Sequence, residues 1–192
     1  MIAIIDYDAG NVKSVHNALK KLGFEAVITS DIETVKNADK VIFPGVGEAS
    51  SAMKKLQERG LDIVIPNLKQ PVLGICLGMQ LMCNSSEEGN TKALGIFDCE
   101  VKLFPNSDIV PHMGWNNVAE MKGRLLENIS ENDNFYFVHS YYAELGESTT
   151  SVCDYITPFS ATLEKDNFYA AQFHPEKSGD AGFKLLENFL NL

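Results

Sequence analysis

Two hydrophobic rhythms alternate along the first half of the chain. Ile2–Asp6 is a short isoleucine-rich run that leads into a loop containing Gly10. Val12, Val15, Leu19 and Leu22 then recur at the spacing of one helix face, and Gly23 closes the segment. Ala26–Thr29 reads as a second strand, and Asp31 is placed to cap a short helix reaching Lys36. Lys40–Phe43 is a third strand, ending in Pro44-Gly45-Val46-Gly47, with a helix over Glu48–Arg59 behind it. Pro71–Ile75 is the fourth strand, and Leu77–Ser86 the helix after it. Strands alternating with helices predict a parallel sheet covered on both faces.

From around Gly95 the texture changes. Phe135–Tyr142, Thr150–Tyr155, Ala161–Leu163 and Phe168–Gln172 have the character of strands with short connections, and Gly182–Leu190 closes the chain as a helix. This predicts an antiparallel or mixed extension of the same sheet. With no internal repeat, low-complexity tract or linker, residues 1–192 read as a single α/β domain: an open, mostly parallel, mixed sheet flanked by helices.

Composition narrows the class. A chain of 192 residues, 45% of them hydrophobic, can bury a substantial core. Sixteen basic against 26 acidic residues give a net charge of −10, and no Lys/Arg cluster offers a phosphate-binding surface. Nucleic acid is therefore a poor partner; an apolar partner face or a small neutral ligand fits better. The start MIAIIDYDAGN lacks the basic flank and length of a signal peptide. No run of ~18 apolar residues exists to span a membrane. The four cysteines, Cys76, Cys83, Cys99 and Cys153, form no C-x-x-C pair and are too few to staple a domain. They read as reduced thiols of a cytoplasmic enzyme.

One cysteine has an unusual frame. Gly74-Ile75-Cys76-Leu77-Gly78 lies where a strand gives way to a helix, which is the logic of a nucleophile elbow. Glycines on both sides let neighbouring chain approach. The side chain then projects from the carboxyl edge of the sheet, where open α/β folds bind ligands. A helix N-terminus at the sulfur favours thiolate, and the Leu77 amide faces a developing oxyanion. The plain alternative is an inert cysteine packed at a tight turn, which is the reading for the other three.

A thiolate nucleophile needs a base. Among His16, His112, His139 and His174, the last stands out because it opens His174-Pro175-Glu176 at the end of a strand. Pro175 keeps His174 extended, and residues two apart in an extended segment point the same way. Glu176 can then orient the imidazole while its other nitrogen faces Cys76, which completes a triad; a satisfied histidine at a strand end is the alternative. No metal site is expected: His-x-Glu occurs in zinc deaminases, but no Pro-Cys-x-x-Cys follows. The glycines of Pro44-Gly45-Val46-Gly47 permit a peptide to take up or flip between conformations closed to other residues. A loop after strand three also supplies the second oxyanion donor of elbow enzymes; an ordinary turn is the alternative.

Together, Gly-x-Cys-x-Gly-x-Gln and the downstream His-Pro-Glu resemble the class I, triad-type glutamine amidotransferases, over nearly the whole chain from IIDYDAGN to HPEKS. PGVG (44–47), SSEEG (85–89) and PHMGWN (111–116) narrow the resemblance to the glutaminase subunits of imidazole glycerol phosphate synthases, from histidine biosynthesis. The resemblance implies a flavodoxin-like fold, no cofactor, and L-glutamine as substrate. Cys76 would attack the glutamine amide, His174 would move the proton, Glu176 would hold His174, and a glutamyl thioester would be hydrolysed. Leu77 and either Val46 or Gly47 would supply the oxyanion hole. Gly45, Gln80, Glu88, Ser140 and Tyr141 would hold the substrate, the last two through backbone groups at its α-carboxylate. A solvated helix face and a cap are the alternatives for Gln80 and Glu88.

The implied partner is a (β/α)8-barrel cyclase, in a heterodimer, which receives ammonia directly and makes imidazole glycerol phosphate and an aminoimidazole carboxamide ribonucleotide. Asn11, Trp115, Tyr136 and Lys177 match interface positions; a core Trp is the alternative for Trp115. Two positions depart from the pattern: Asp8 stands where a second Gly is frequent, and Glu48-Ala49 where a small and an aromatic residue are. Rival readings are a glutaminase feeding pyridoxal phosphate synthesis, a non-catalytic regulatory protein on the same fold, and an elbow-type cysteine hydrolase. PHMGWN argues against the first, the complete triad against the second, and Gln80 with Glu88 against the third.

Overall fold

A computed structural model describes residues 1–192. Strands and helices alternate through β1 (Ile2–Ile5), α1 (Val12–Lys21), β2 (Ala26–Thr29), α2 (Ile32–Lys36), β3 (Lys40–Gly45), α3 (Ala49–Glu58), α4 (Leu61–Val64), β4 (Val72–Cys76) and α5 (Leu77–Leu81). Short strands follow: β5 (Ser85–Ser86), β6 (Thr91–Lys92), β7 (Glu100–Leu103), β8 (His112–Asn117), β9 (Asn134–His139) and β10 (Tyr141–Ala143). The chain closes with β11 (Thr149–Tyr155), β12 (Thr157–Lys165), β13 (Phe168–Ala171) and α6 (Gly179–Leu190).

The main sheet has seven strands in the order β11-β12-β13-β4-β3-β1-β2. Five of them, from β13 to β2, are parallel, and β12 and β11 add antiparallel edge strands. Side-chain alternation splits the core into two faces. Ala3 and Ile5 of β1 pack with Val41 and Phe43 of β3 against α3 and α4, whereas Ile2 and Ile4 pack with Ile42 against α1 and α6. No helix is long and apolar enough to cross a membrane.

Register decides what meets at the carboxyl edge. Gly45 lies opposite Cys76, so the Pro44–Gly47 segment leaves the sheet beside the cysteine. Ala171 lies opposite Ile75, so the segment after β13 emerges on the cysteine's other side.

Two expected elements are corrected. The helix expected over Leu77–Ser86 ends at Leu81, and Ser85–Ser86 is a strand. The Ala93–Phe97 loop wraps back, and Leu94, Ile96 and Phe97 donate their amides to Leu81 and Met82 carbonyls, each at 2.9 Å. Those carbonyls are thereby satisfied without another helical turn. The Phe135–Tyr142 run breaks at Ser140 and does not extend the main sheet. Its first part, β9, pairs with β8 alone, and β10 joins a four-stranded sheet with β7, β5 and β6. The other three expected strands, β11, β12 and β13, do form the expected mixed extension, β13 parallel to β4 and the other two as antiparallel pairs beyond it.

Candidate active site

Cys76 ends β4 with φ +54° and ψ −110°, a strained backbone for a non-glycine residue. The surroundings hold it there. A Cβ on Gly78 would sit 1.9 Å from the Phe43 carbonyl oxygen, and one on Gly74 would sit 2.4 Å from Met82 Sδ. The two glycines let β3, β4 and α5 pack backbone to backbone and lock the elbow. α5 is only five residues long, so it presents first-turn amides to the site rather than a long dipole.

The histidine is equally fixed. His174 is extended (φ −98°, ψ 96°), and its amide donates to the Tyr136 carbonyl at 2.9 Å. The expectation that His174 and Glu176 share one face of an extended strand is corrected, because Pro175–Lys177 forms a 3-10 turn. The turn still brings His174 Nδ1 to 2.8 Å from Glu176 Oε1, with both side chains buried. His174 Nε2 is buried and lacks a well-formed hydrogen bond. Burial disfavours the imidazolium, but hydrogen bonding and charge from Cys76 and Glu176 outweigh it and push the His174 pKa up to about 10. The arrangement favours the protonated imidazole of His174 beside the cysteine.

Cys76 and His174 open onto a cavity of about 350 Å³, the low end of the size range of small-molecule sites. Val46, Gly47, Leu77, Gln80, Glu88, Ser140 and Tyr141 line it as well. Gln80 donates Nε2 to the Tyr141 carbonyl at 2.8 Å and to Gln172 Oε1 at 2.9 Å. Glu88 accepts the Ala49 amide at 2.8 Å, so it caps α3 while facing the cavity. Burial raises its pKa, against the Ala49 hydrogen bond. Gly45 is one step away, buried in β3 with room for no Cβ: one there would lie 2.5 Å from the Tyr7 hydroxyl. The Val46 amide donates to the Ala9 carbonyl at 3.3 Å, and Gly47 holds φ +107°.

Three of the four expected surface residues meet. Trp115, 59% exposed on β8, stands edge-on to Tyr136 with ring centroids 6.0 Å apart, and Lys177 Nζ lies 6.0 Å from the Tyr136 centroid. Trp115 is therefore not a core residue. Asn11 precedes α1, makes no capping bond and shares no ring contact with that cluster.

Sequence reasoning missed Gln172, which is fully buried, accepts from Gln80 and points its Nε2 at Cys76 Sγ from 3.8 Å. Its position two residues before His174 in a strand-like run was an available signal. Pro111, Val138 and His139 also line the cavity, and nothing local in the sequence marks the last two. The Tyr7 hydroxyl is buried beside Gly45 without a partner. No group of three or more His, Cys, Asp or Glu side chains is arranged to hold a metal ion.

The class I glutamine amidotransferase family matches residues 3–192. The whole chain is 59% identical to the imidazole glycerol phosphate synthase subunit HisH of Bacteroides fragilis, covering 99% of that protein. It is 46% identical, again over its whole length, to the HisH subunit of Vibrio parahaemolyticus, covering 98% of it. A solved structure of a glutamine amidotransferase superimposes with a TM-score of 0.74 at 20% identity, over 100% of this chain and 98% of that one, which speaks for the fold. The elbow cysteine, its buried His–Glu pair and these relatives agree: the chain belongs to the class I glutamine amidotransferase family.

Proposed function

We propose that this chain is the glutaminase subunit of an imidazole glycerol phosphate synthase, acting as one domain in the cytoplasm. The observation that carries the reading is the buried His174–Glu176 pair, with Nε2 left open beside a strained elbow cysteine. The Cys76 thiolate attacks the side-chain carbonyl carbon of L-glutamine. The C–N bond breaks as His174 Nε2–H protonates the leaving nitrogen, so ammonia departs and a thioester remains. His174, now neutral, takes a proton from water, whose oxygen attacks the thioester and releases glutamate and the thiolate.

The Leu77 amide meets the oxyanion first. The second donor comes from Val46 or Gly47, and the Val46 amide is spent on Ala9. With Val46 as the donor, the loop has to turn before the hole is complete, and the chain alone is then expected to be a poor glutaminase. Gly45, Gln80, Glu88, Ser140 and Tyr141 hold the substrate. A zwitterion needs an acid for its ammonium and donors for its carboxylate, and Glu88 with the Ser140–Tyr141 backbone fits those needs.

The partner is a (β/α)8-barrel cyclase in a heterodimer, docked over the cavity mouth on Trp115, Tyr136 and Lys177, with Asn11 at the rim. Ammonia passes to it directly. The experiment is glutamate release from glutamine, with and without the cyclase and its ribonucleotide. Strong stimulation is expected. Turnover indifferent to the cyclase would assign the chain to another amidotransferase pathway, and no turnover with any partner would remove the glutaminase reading.

A further inference from the structure

His112 of the PHMGWN stretch takes no part in the triad, yet it is buried directly opposite His139 on the β8–β9 ladder. His112 Nδ1 and His139 Nε2 are 2.9 Å apart, and His139 Nδ1 is 2.7 Å from the Tyr141 carbonyl oxygen. At the outer end, Asn116 Nδ2 is 3.4 Å from His112 Nε2. The His112 ring is stacked between Tyr155 at 4.0 Å and Phe137 at 4.8 Å, so it cannot swing away.

Hydrogen-bond chemistry fixes the direction of this chain. A carbonyl only accepts, so His139 Nδ1 carries a proton. Asn116 Oδ1 accepts the Asn117 amide at 3.0 Å and its Nδ2 also reaches the Asp154 carbonyl at 3.4 Å, so the Asn116 amide donates to His112 Nε2. His112 Nδ1 then carries its ring's proton and donates to His139 Nε2. Both rings are neutral with the proton on Nδ1, and every bond points from Asn116 towards Tyr141. Burial favours the same state, drawing the His112 pKa down to about 4 and that of His139 to about 3.

We propose that His112 and His139 are positioning residues: a one-way relay of neutral imidazoles that pins the Tyr141 carbonyl and thereby sets the Ser140–Tyr141 backbone to receive the substrate's α-carboxylate. The Tyr141 carbonyl accepts from two side chains, His139 Nδ1 and Gln80 Nε2, so its torsion is held from both sides. Removing one donor frees the peptide next to the carboxylate site without touching Cys76 or His174. The inference rests on the substrate-binding role proposed above for Ser140 and Tyr141.

The test uses the complex with the cyclase and compares His112→Phe, which keeps the ring stack and loses the donor, with His112→Asn, whose amide replaces the Nδ1–H. In His112→Phe the KM for glutamine is expected to rise about tenfold with kcat within about threefold, and His112→Asn is expected to restore KM. An unchanged KM in His112→Phe, or an equal rise in both variants, overturns the relay. Imidazole 15N shifts of the wild-type protein decide the point even if a variant fails to fold. Neutral Nδ1–H rings at both positions support the relay, and an Nε2–H tautomer or a charged ring at either overturns it. Comparing L-glutamine with its α-carboxamide keeps the two readings apart. A wild-type enzyme that uses both equally removes the carboxylate role of Ser140–Tyr141, while the tautomers still decide the relay.

Discussion

Cys76 occupies a backbone conformation that costs about 1–3 kcal/mol for a non-glycine residue, and β3, β4 and α5 hold it there. That strain lifts the sulfur clear of the sheet edge and into the cavity. Two substitutions separate strain from chemistry. Cys76→Ala is expected to abolish glutamate release, with a melting temperature close to wild type. Cys76→Gly is expected to be equally inactive but more stable than Cys76→Ala by about 1 kcal/mol, because glycine adopts positive φ freely. Near-wild-type turnover in Cys76→Ala would end the nucleophile assignment. Equal stability of the two variants would show that the elbow is relaxed.

At the level of elements, the site is a meeting of three strand ends. β3 delivers Val46 and Gly47, β4 delivers Cys76, and β13 leads into Gln172 and His174. The contact between β3 and α5 is the tightest of these junctions. Gly78→Ala forces its Cβ against the backbone oxygen of Phe43, which has no flexible atom to yield. The expected cost is about 3 kcal/mol or more, together with loss of activity, because α5 must tilt away and carry Leu77 from the place proposed above for the oxyanion donor. Chemical denaturation checks this; a Gly78→Ala protein as stable as wild type would mean that the elbow is looser than its contacts imply.

Across the whole molecule, the buried histidines set how stability depends on pH. Burial holds the folded-state pKa of His112 down to about 4 and that of His139 to about 3, against an ordinary 6.5. Between those values the unfolded chain binds protons that the folded chain refuses. Stability therefore falls as pH drops below 6.5, by about 1.4 kcal/mol per unit for each ring within its window. His174 acts in the opposite sense. Its folded pKa is raised to about 10, so its contribution is complete below 6.5 and is lost as pH rises through the folded value. Stability should thus peak near neutrality and decline on both sides. Urea midpoints measured between about pH 5 and about pH 9 test this, and Cys76→Ala should flatten the alkaline limb by removing a group that raises His174. A flat acid limb would show that the His112–His139 pair is solvated.

The surface belongs to the same scale. Trp115 is exposed and touches Tyr136, which lies under Lys177. Trp115→Ala is expected to weaken binding of the cyclase about 10- to 100-fold while leaving the melting temperature of the isolated chain unchanged. Calorimetric titration reads the first and thermal denaturation the second. Unaltered affinity would move the docking surface elsewhere.

By itself the sequence determined what local covalent order carries. The first four strands, the helices α1 to α3 and the start of α5, the elbow at Gly74–Gly78, the extended His174 before Pro175 and the glycines after β3 were legible, because each depends on a residue's own torsions or on neighbours a few positions away; the short α4 was not. Tertiary structure alone decided the rest. α5 stops at Leu81 because a distant loop takes its carbonyls, and the Phe135–Tyr142 run is split between two sheets because its partners, β8 and β7, lie far along the chain. Gln172 joins the site, Val46 turns to Ala9, and His112 meets His139 only once the strands are in register. Those contacts depend on which backbone and side-chain groups packing leaves facing one another, and periodicity along one chain carries no record of that.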